Sequence, residues 1–188
     1  MIRTTSFSLH PQKKMKSLFL KDIEPSSLSD ILSRMSQSQG NGSSSYALLS
    51  TDRIISFSQI EAAANMALLR NPTSYNSARD TVICVAGTTN PDAAVRDFLV
   101  NKEKILQESN DKMNVILIGF DCEDREMLQI IEAHSKFIKD LSEIKLLNVR
   151  EEDFQSKMIK TYKLTREEVA SFGLEECVVH RIATKFLL

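Results

Sequence analysis

Apolar residues along this chain come in short blocks whose spacing switches between a strand-like and a helix-like period. Leu18 and Leu20 alternate with Phe19 and Lys21, which predicts a strand over residues 15–23. Pro25-Ser26-Ser27 then opens a helix in which Leu28, Ile31, Leu32 and Met35 recur at helical spacing. Residues 36–45, rich in Ser, Gln and Gly with an Asn41-Gly42 pair, read as a surface loop. A second strand is expected at 46–50, followed by a turn at Thr51-Asp52-Arg53. The helix after it, over 58–70, has Ile60, Ala63, Ala64, Ala67 and Leu68 on one broad face, and Asn71-Pro72 ends it.

Residues 81–85 are apolar or β-branched without a break, the pattern of a strand buried on both faces. The turn Gly87-Thr88-Thr89-Asn90-Pro91 leads into a helix with Asn90 as N-cap, Pro91 as first helical residue and Ala94, Val95 and Phe98 as its apolar stripe. Residues 114–120 predict another strand. Asp124 can cap a helix carrying Met127, Leu128, Ile130 and Ile131. One further short strand is expected within 141–149, then helices over 151–162 and 165–172. The latter begins with a Thr165-Arg166-Glu167-Glu168 capping box. Gly173 breaks the chain before a final helix with Val178, Val179, Ile182, Ala183, Phe186 and Leu187.

Strands and helices do not alternate regularly, so the pattern fits α+β rather than a doubly wound fold. We expect one domain over residues 15–188: a small mixed or antiparallel sheet of about four strands packed with helices, and a helical C-terminal third. Residues 1–16 carry Arg3, Lys13, Lys14 and Lys16 and no acid, a composition faintly like a transit peptide that Pro11 interrupts. We expect a flexible basic arm over residues 1–14.

Composition narrows the function. The 24 basic residues are matched by 25 acidic ones, so no global positive field draws nucleic acid to the chain. The three cysteines, Cys84, Cys122 and Cys177, are widely separated, and the histidines show no ligand spacing; no metal site or disulfide framework is indicated. A reducing compartment, cytoplasmic or nuclear, fits this usage, and no apolar run is long enough to span a bilayer. The segment Val82 to Asn90 has the strand–turn–helix outline of a phosphate site but lacks the lysine and second glycine of a P-loop. Adjacent acids such as Glu123-Asp124 and Glu167-Glu168 sit where helix starts favour them, and Cys122 has acidic neighbours that blunt a nucleophile. We expect no catalytic centre and no cofactor.

Three stretches carry a family resemblance: Ala47-Leu48-Leu49-Ser50 through Gln59 and the alanine-rich helix to Leu69; Asp80 to Phe98, with Asn90, Ala94 and Phe98 in place; and Thr161-Tyr162-Lys163-Leu164 with the helix after it. Their order resembles the KEOPS kinase-binding subunit family, which includes the PRPK-binding protein of animals. The chain departs from that pattern at Pro91, at Leu99-Val100 and at Ala133-His134, as a divergent member would. The resemblance implies a non-catalytic subunit that docks on the N-lobe of a small atypical kinase, stimulates it, and helps present tRNA for threonylcarbamoyladenosine modification. Other KEOPS subunits would then be indirect partners. It also implies kinase contacts at Gln59, Ala63, Met66, Asn90, Ala94, Phe98, Ile182 and Phe186, and tRNA contacts at Arg70, Arg79 and Arg96. For any one of these helix residues, burial in the chain's own core is the competing reading. Two other functions stay open: an adaptor unrelated to tRNA, and a phosphate-ligand binder using the Gly87 to Asn90 turn.

Overall fold

The longest strand, β2 (His10–Ile23), runs through a sheet whose strands all pair antiparallel. On one edge β2 meets β1 (Arg3–Phe7) and the two-residue β5 (Ile138–Lys139); on the other it meets β4 (Met113–Phe120), which in turn pairs with β3 (Ser45–Ser50). The register sets Met15 opposite Phe120, Leu18 opposite Leu117, and Leu117 opposite Leu48. The computed structural model describes residues 2–39, 44–87, 90–107, 111–142, 144 and 152–185.

Helices cover the sheet on both sides. They are α1 (Pro25–Gln39), α2 (Phe57–Arg70), α3 (Ser77–Val85), α4 (Pro91–Phe98), α5 (Lys102–Gln107), α6 (Asp124–Ile131), α7 (Glu152–Tyr162), α8 (Arg166–Phe172) and α9 (Leu174–Lys185). Side chains alternate along a strand, so β2, β3 and β4 each feed two cores. Met15, Phe19, Ala47, Leu49, Ile116, Ile118 and Phe120 pack with residues of α2, α3, α7 and α9. Leu18, Leu20, Tyr46, Leu48, Val115 and Leu117 pack with α1 and α6. This double coverage explains the unbroken apolar runs at 46–49 and 115–118, which an antiparallel sheet wetted on one face would not show.

The α+β architecture follows the sequence reading, with local departures. Residues 81–85 form the second half of a helix, α3, not a strand. An apolar run without periodicity fits a buried helix as well as a buried strand. Here Asn76 Oδ1 accepts from Arg79 N at 3.4 Å to start the helix, and Thr81 Oγ1 donates to Ser77 O at 2.8 Å. Residues 3–14, expected as a flexible arm, form β1 and the start of β2. Phe7 stacks on Phe120 with ring centroids 6.1 Å apart, Lys13 pairs with Asp121 at 2.5 Å, and Arg3 pairs with Glu61 at 3.1 Å. Basic charge there answers acids elsewhere in the fold. The expected 141–149 strand lies mostly outside the described residues; β5 precedes it, and Leu141 and Ile144 are buried.

The cap at α4 is as expected: Asn90 Oδ1 accepts from Asp92 N at 3.0 Å and Ala93 N at 3.3 Å, with Pro91 opening the helix. Replacing Asn90 with Ala should lower stability by about 1 kcal/mol. A urea titration checks this; an unchanged midpoint would show that the cap is energetically idle.

Candidate partner-docking site

Gln59 and Tyr162 meet inside the protein, where they join three elements. Gln59 Nε2 donates to the Tyr162 hydroxyl at 2.7 Å and to Arg53 O at 3.1 Å, while Gln59 Oε1 accepts from Ile55 N at 2.8 Å. Tyr162 then donates to Val85 O at 2.5 Å. The start of α2, the end of α3 and the end of α7 are thereby tied through buried, mutually satisfied groups. Gly87, at φ +56°, passes so close to the Tyr162 ring that a Cβ there would sit 3.1 Å from Cε1. A side chain at this position would be strained in backbone and crowded at once.

Gln59 is therefore a core residue. Ala63, Met66, Ala94, Phe98 and Ile182 are also buried, none more than 5% exposed, and all pack in the core formed by this chain alone. As folded, these six side chains have no surface to offer a partner. Asn90 is exposed and caps α4; Phe186 lies outside the described residues. Arg70, Arg79 and Arg96 are exposed, at the end of α2, the start of α3 and near the end of α4. Arg96 Nε donates to Asp97 Oδ1 at 3.2 Å, and Arg70 lies against the Cys84 thiol. The Gly87 to Asn90 turn is committed within the chain at its described ends: the Lys185 ammonium donates to Gly87 O, and Asn90 caps α4. Residues 88 and 89 lie outside the described residues.

A surface that can receive a partner is found instead on the α8–α9 hairpin. The Thr165 capping box starts α8, with Glu168 N donating to Thr165 Oγ1 at 3.1 Å and Thr165 N to Glu168 Oε2 at 2.7 Å. Gly173, at φ +83°, lets the chain reverse directly into α9. One face of α9 buries Val178 and Ile182 in the core with α2. An adjoining side forms a groove of about 360 Å³ with α8, floored by Leu164 and Cys177 and rimmed by Glu168, Phe172, Glu176, His180 and Arg181. Phe172 is 70% exposed there. A large aromatic held out of the core beside an apolar groove is a mark of a contact site. The sequence contains this signal, since Phe172 stands directly before the helix-breaking Gly173, but the face it points from is set by the hairpin.

Among the described residues no group of three or more His, Cys, Asp or Glu side chains converges to hold a metal, and no helix is long and apolar enough to cross a membrane. Cys84, Cys122 and Cys177 are buried free thiols, and burial pushes Cys84 and Cys122 up to about 11. Because the folded values exceed the ordinary thiol value, this contribution to stability is complete below about pH 8.5 and is lost as the pH rises toward 11. Urea midpoints at pH 8 and pH 10.5 should differ less when Cys84 and Cys122 are both replaced by Ala. Changing Tyr162 to Phe leaves the Val85 carbonyl and a Gln59 N–H without their buried partner and should cost roughly 1–3 kcal/mol. Denaturant unfolding measures it, and a neutral result would mean that the three-element tie contributes nothing.

Among the curated proteins, none matches this chain. The family model described as kinase binding protein CGI-121 matches residues 20–186. That span takes in the end of β2, strands β3, β4 and β5, the Gln59–Tyr162 tie and the whole α8–α9 hairpin. The chain belongs to the kinase binding protein CGI-121 family.

Proposed function

We propose that this chain is the non-catalytic, kinase-binding subunit of a KEOPS-type complex, and that it holds the small atypical kinase through the α8–α9 groove. The observation that carries the docking reading is Phe172 of α8, 70% exposed at the rim of an apolar groove beside α9, whose other face packs in the core. Association of two folded proteins gains most from a few desolvated aromatic and aliphatic anchors, with surrounding contacts excluding water. A hairpin already folded within the chain presents such an anchor at a smaller ordering cost than a segment that folds on binding. The buried residues Ala63, Met66 and Ile182 serve this reading indirectly, because they fix the helices that present the groove.

Stimulation of the kinase and recruitment of tRNA for threonylcarbamoyladenosine modification, in the cytoplasm and the nucleus, belong to the same proposal. Arg70, Arg79 and Arg96 are exposed and suited to phosphate contact, although Asp97 partly neutralises Arg96. With a net charge of −1, RNA affinity must come from the assembled complex more than from this chain alone.

Calorimetry with the small KEOPS kinase of the same organism tests the reading. We expect one-to-one, submicromolar binding, and a rise in Kd of at least about tenfold for Phe172→Asp, with an unchanged melting temperature because Phe172 adds little to the core. Undetectable binding at tens of micromolar would remove the kinase reading and leave the adaptor.

A further inference from the structure

The α8–α9 face carries a projecting aromatic and an apolar socket side by side. Leu164 and Cys177, both buried, floor the groove of about 360 Å³. Phe172 stands at its rim and is 70% exposed, so it leaves its own groove open. The reversal at Gly173 is close-packed: a Cβ there would lie 3.2 Å from Glu176 Oε2, which sets Glu176 beside the hairpin tip that holds Phe172 out.

Charges of both signs share the rim. Glu168 and Arg181 are joined within the chain at 3.1 Å, and Arg181 also donates to Lys163 O at 3.5 Å. Both of those contacts are made by Nη2, and a guanidinium has five N–H donors, so Arg181 can take a further acid. Glu176 is exposed on the same rim. A rim so mixed selects neither a strongly acidic nor a strongly basic partner. It matches itself, because a face that bears a knob, a socket, an acid and a base meets the requirement of a two-fold contact, in which one patch serves both sides.

We propose that this face also closes on a second copy of the chain, as a weak two-fold dimer. Phe172 of each copy enters the groove of the other, and Glu176 of each meets Arg181 of the other. Opposed charges fix the register of such a contact, and the desolvated aromatic supplies most of its affinity. A net charge of −1 gives two copies little reason to repel. The face offered by one short hairpin is small, which places the dimer in the transient class. This goes beyond the docking reading: without the kinase the dimer covers the exposed anchor, and the two contacts exclude each other.

Sedimentation velocity on the full chain, from about 1 to about 500 micromolar, tests the proposal. We expect monomer at the low end and dimer at the high end, with a dimer Kd on the order of tens of micromolar. Phe172→Asp should stay monomeric throughout, with an unchanged melting temperature. Glu176→Arg sets cation against cation across the axis, and Arg181→Glu sets acid against acid, so each variant alone should be monomeric. An equimolar mixture of the two pairs opposite charges at both contacts and should regain the dimer, a rescue that misfolding could not produce. Monomer at every concentration, a dimer that survives Phe172→Asp, or a mixture that stays monomeric would each overturn the proposal. Kinase binding by a chain that never dimerises would do so while leaving the docking reading intact. Adding the small KEOPS kinase should dissolve the dimer into one-to-one complexes; a kinase bound to the intact dimer would support the dimer and move the docking site off this groove.

Discussion

Burial of the antiparallel sheet on both faces is the constraint from which the other features follow. β3, β4 and residues 15–20 of β2 have almost no wet side, so their consecutive residues must be apolar or internally paired, and two sets of helices must be recruited to cover them. Sheet-covering helices are held by volume and shape, which penalises small changes in the interior. Gly119 shows how tight this is: a Cβ there would lie 2.7 Å from Cys122 Sγ and 2.9 Å from Met127 Sδ.

The helix layer containing α2, α3, α7 and α9 is where that constraint meets binding. A purely apolar layer would tolerate sliding, because burial has no preferred direction. The Gln59–Tyr162–Val85 hydrogen bonds supply direction, fixing the start of α2 against the ends of α3 and α7. The chain leaves α7 through Lys163 and enters the hairpin two residues later, so the groove inherits its placement from this buried tie. α9 contributes to both, with Val178 and Ile182 inside and His180 and Arg181 outside.

Much of this fold was legible in the chain. The strands at 46–50 and 114–120, the Asn90 cap, the Thr165 capping box and the Gly173 break each carry a local chemical signal that acts within a few residues. The α3 helix did not, because Thr81 to Val85 are apolar or β-branched at every position, and what distinguishes helix from strand there is the packing of β3 and α2 around it. The β1–β2 hairpin was hidden for the converse reason: its lysines look solvated until Asp121 and Asp124 come near in space. The site was less legible than the fold. Gln59, Ala63, Ala94 and Ile182 stand on short amphipathic helices whose apolar side faces inward, and a sequence shows that a face exists without showing what covers it. Phe172 offered a weak signal because one aromatic beside a glycine has no period.

The two-sidedness of α9 has a consequence for how such a chain diverges. Positions that face the groove and positions that hold the core alternate along one helix, less than a turn apart. Substitutions at His180 or Arg181 answer to whatever the groove meets outside the chain, whereas those at Val178 and Ile182 answer to the interior alone. Lineages that exchange partners should therefore show a striped pattern of replacement along this helix, fast on one side and slow on the other.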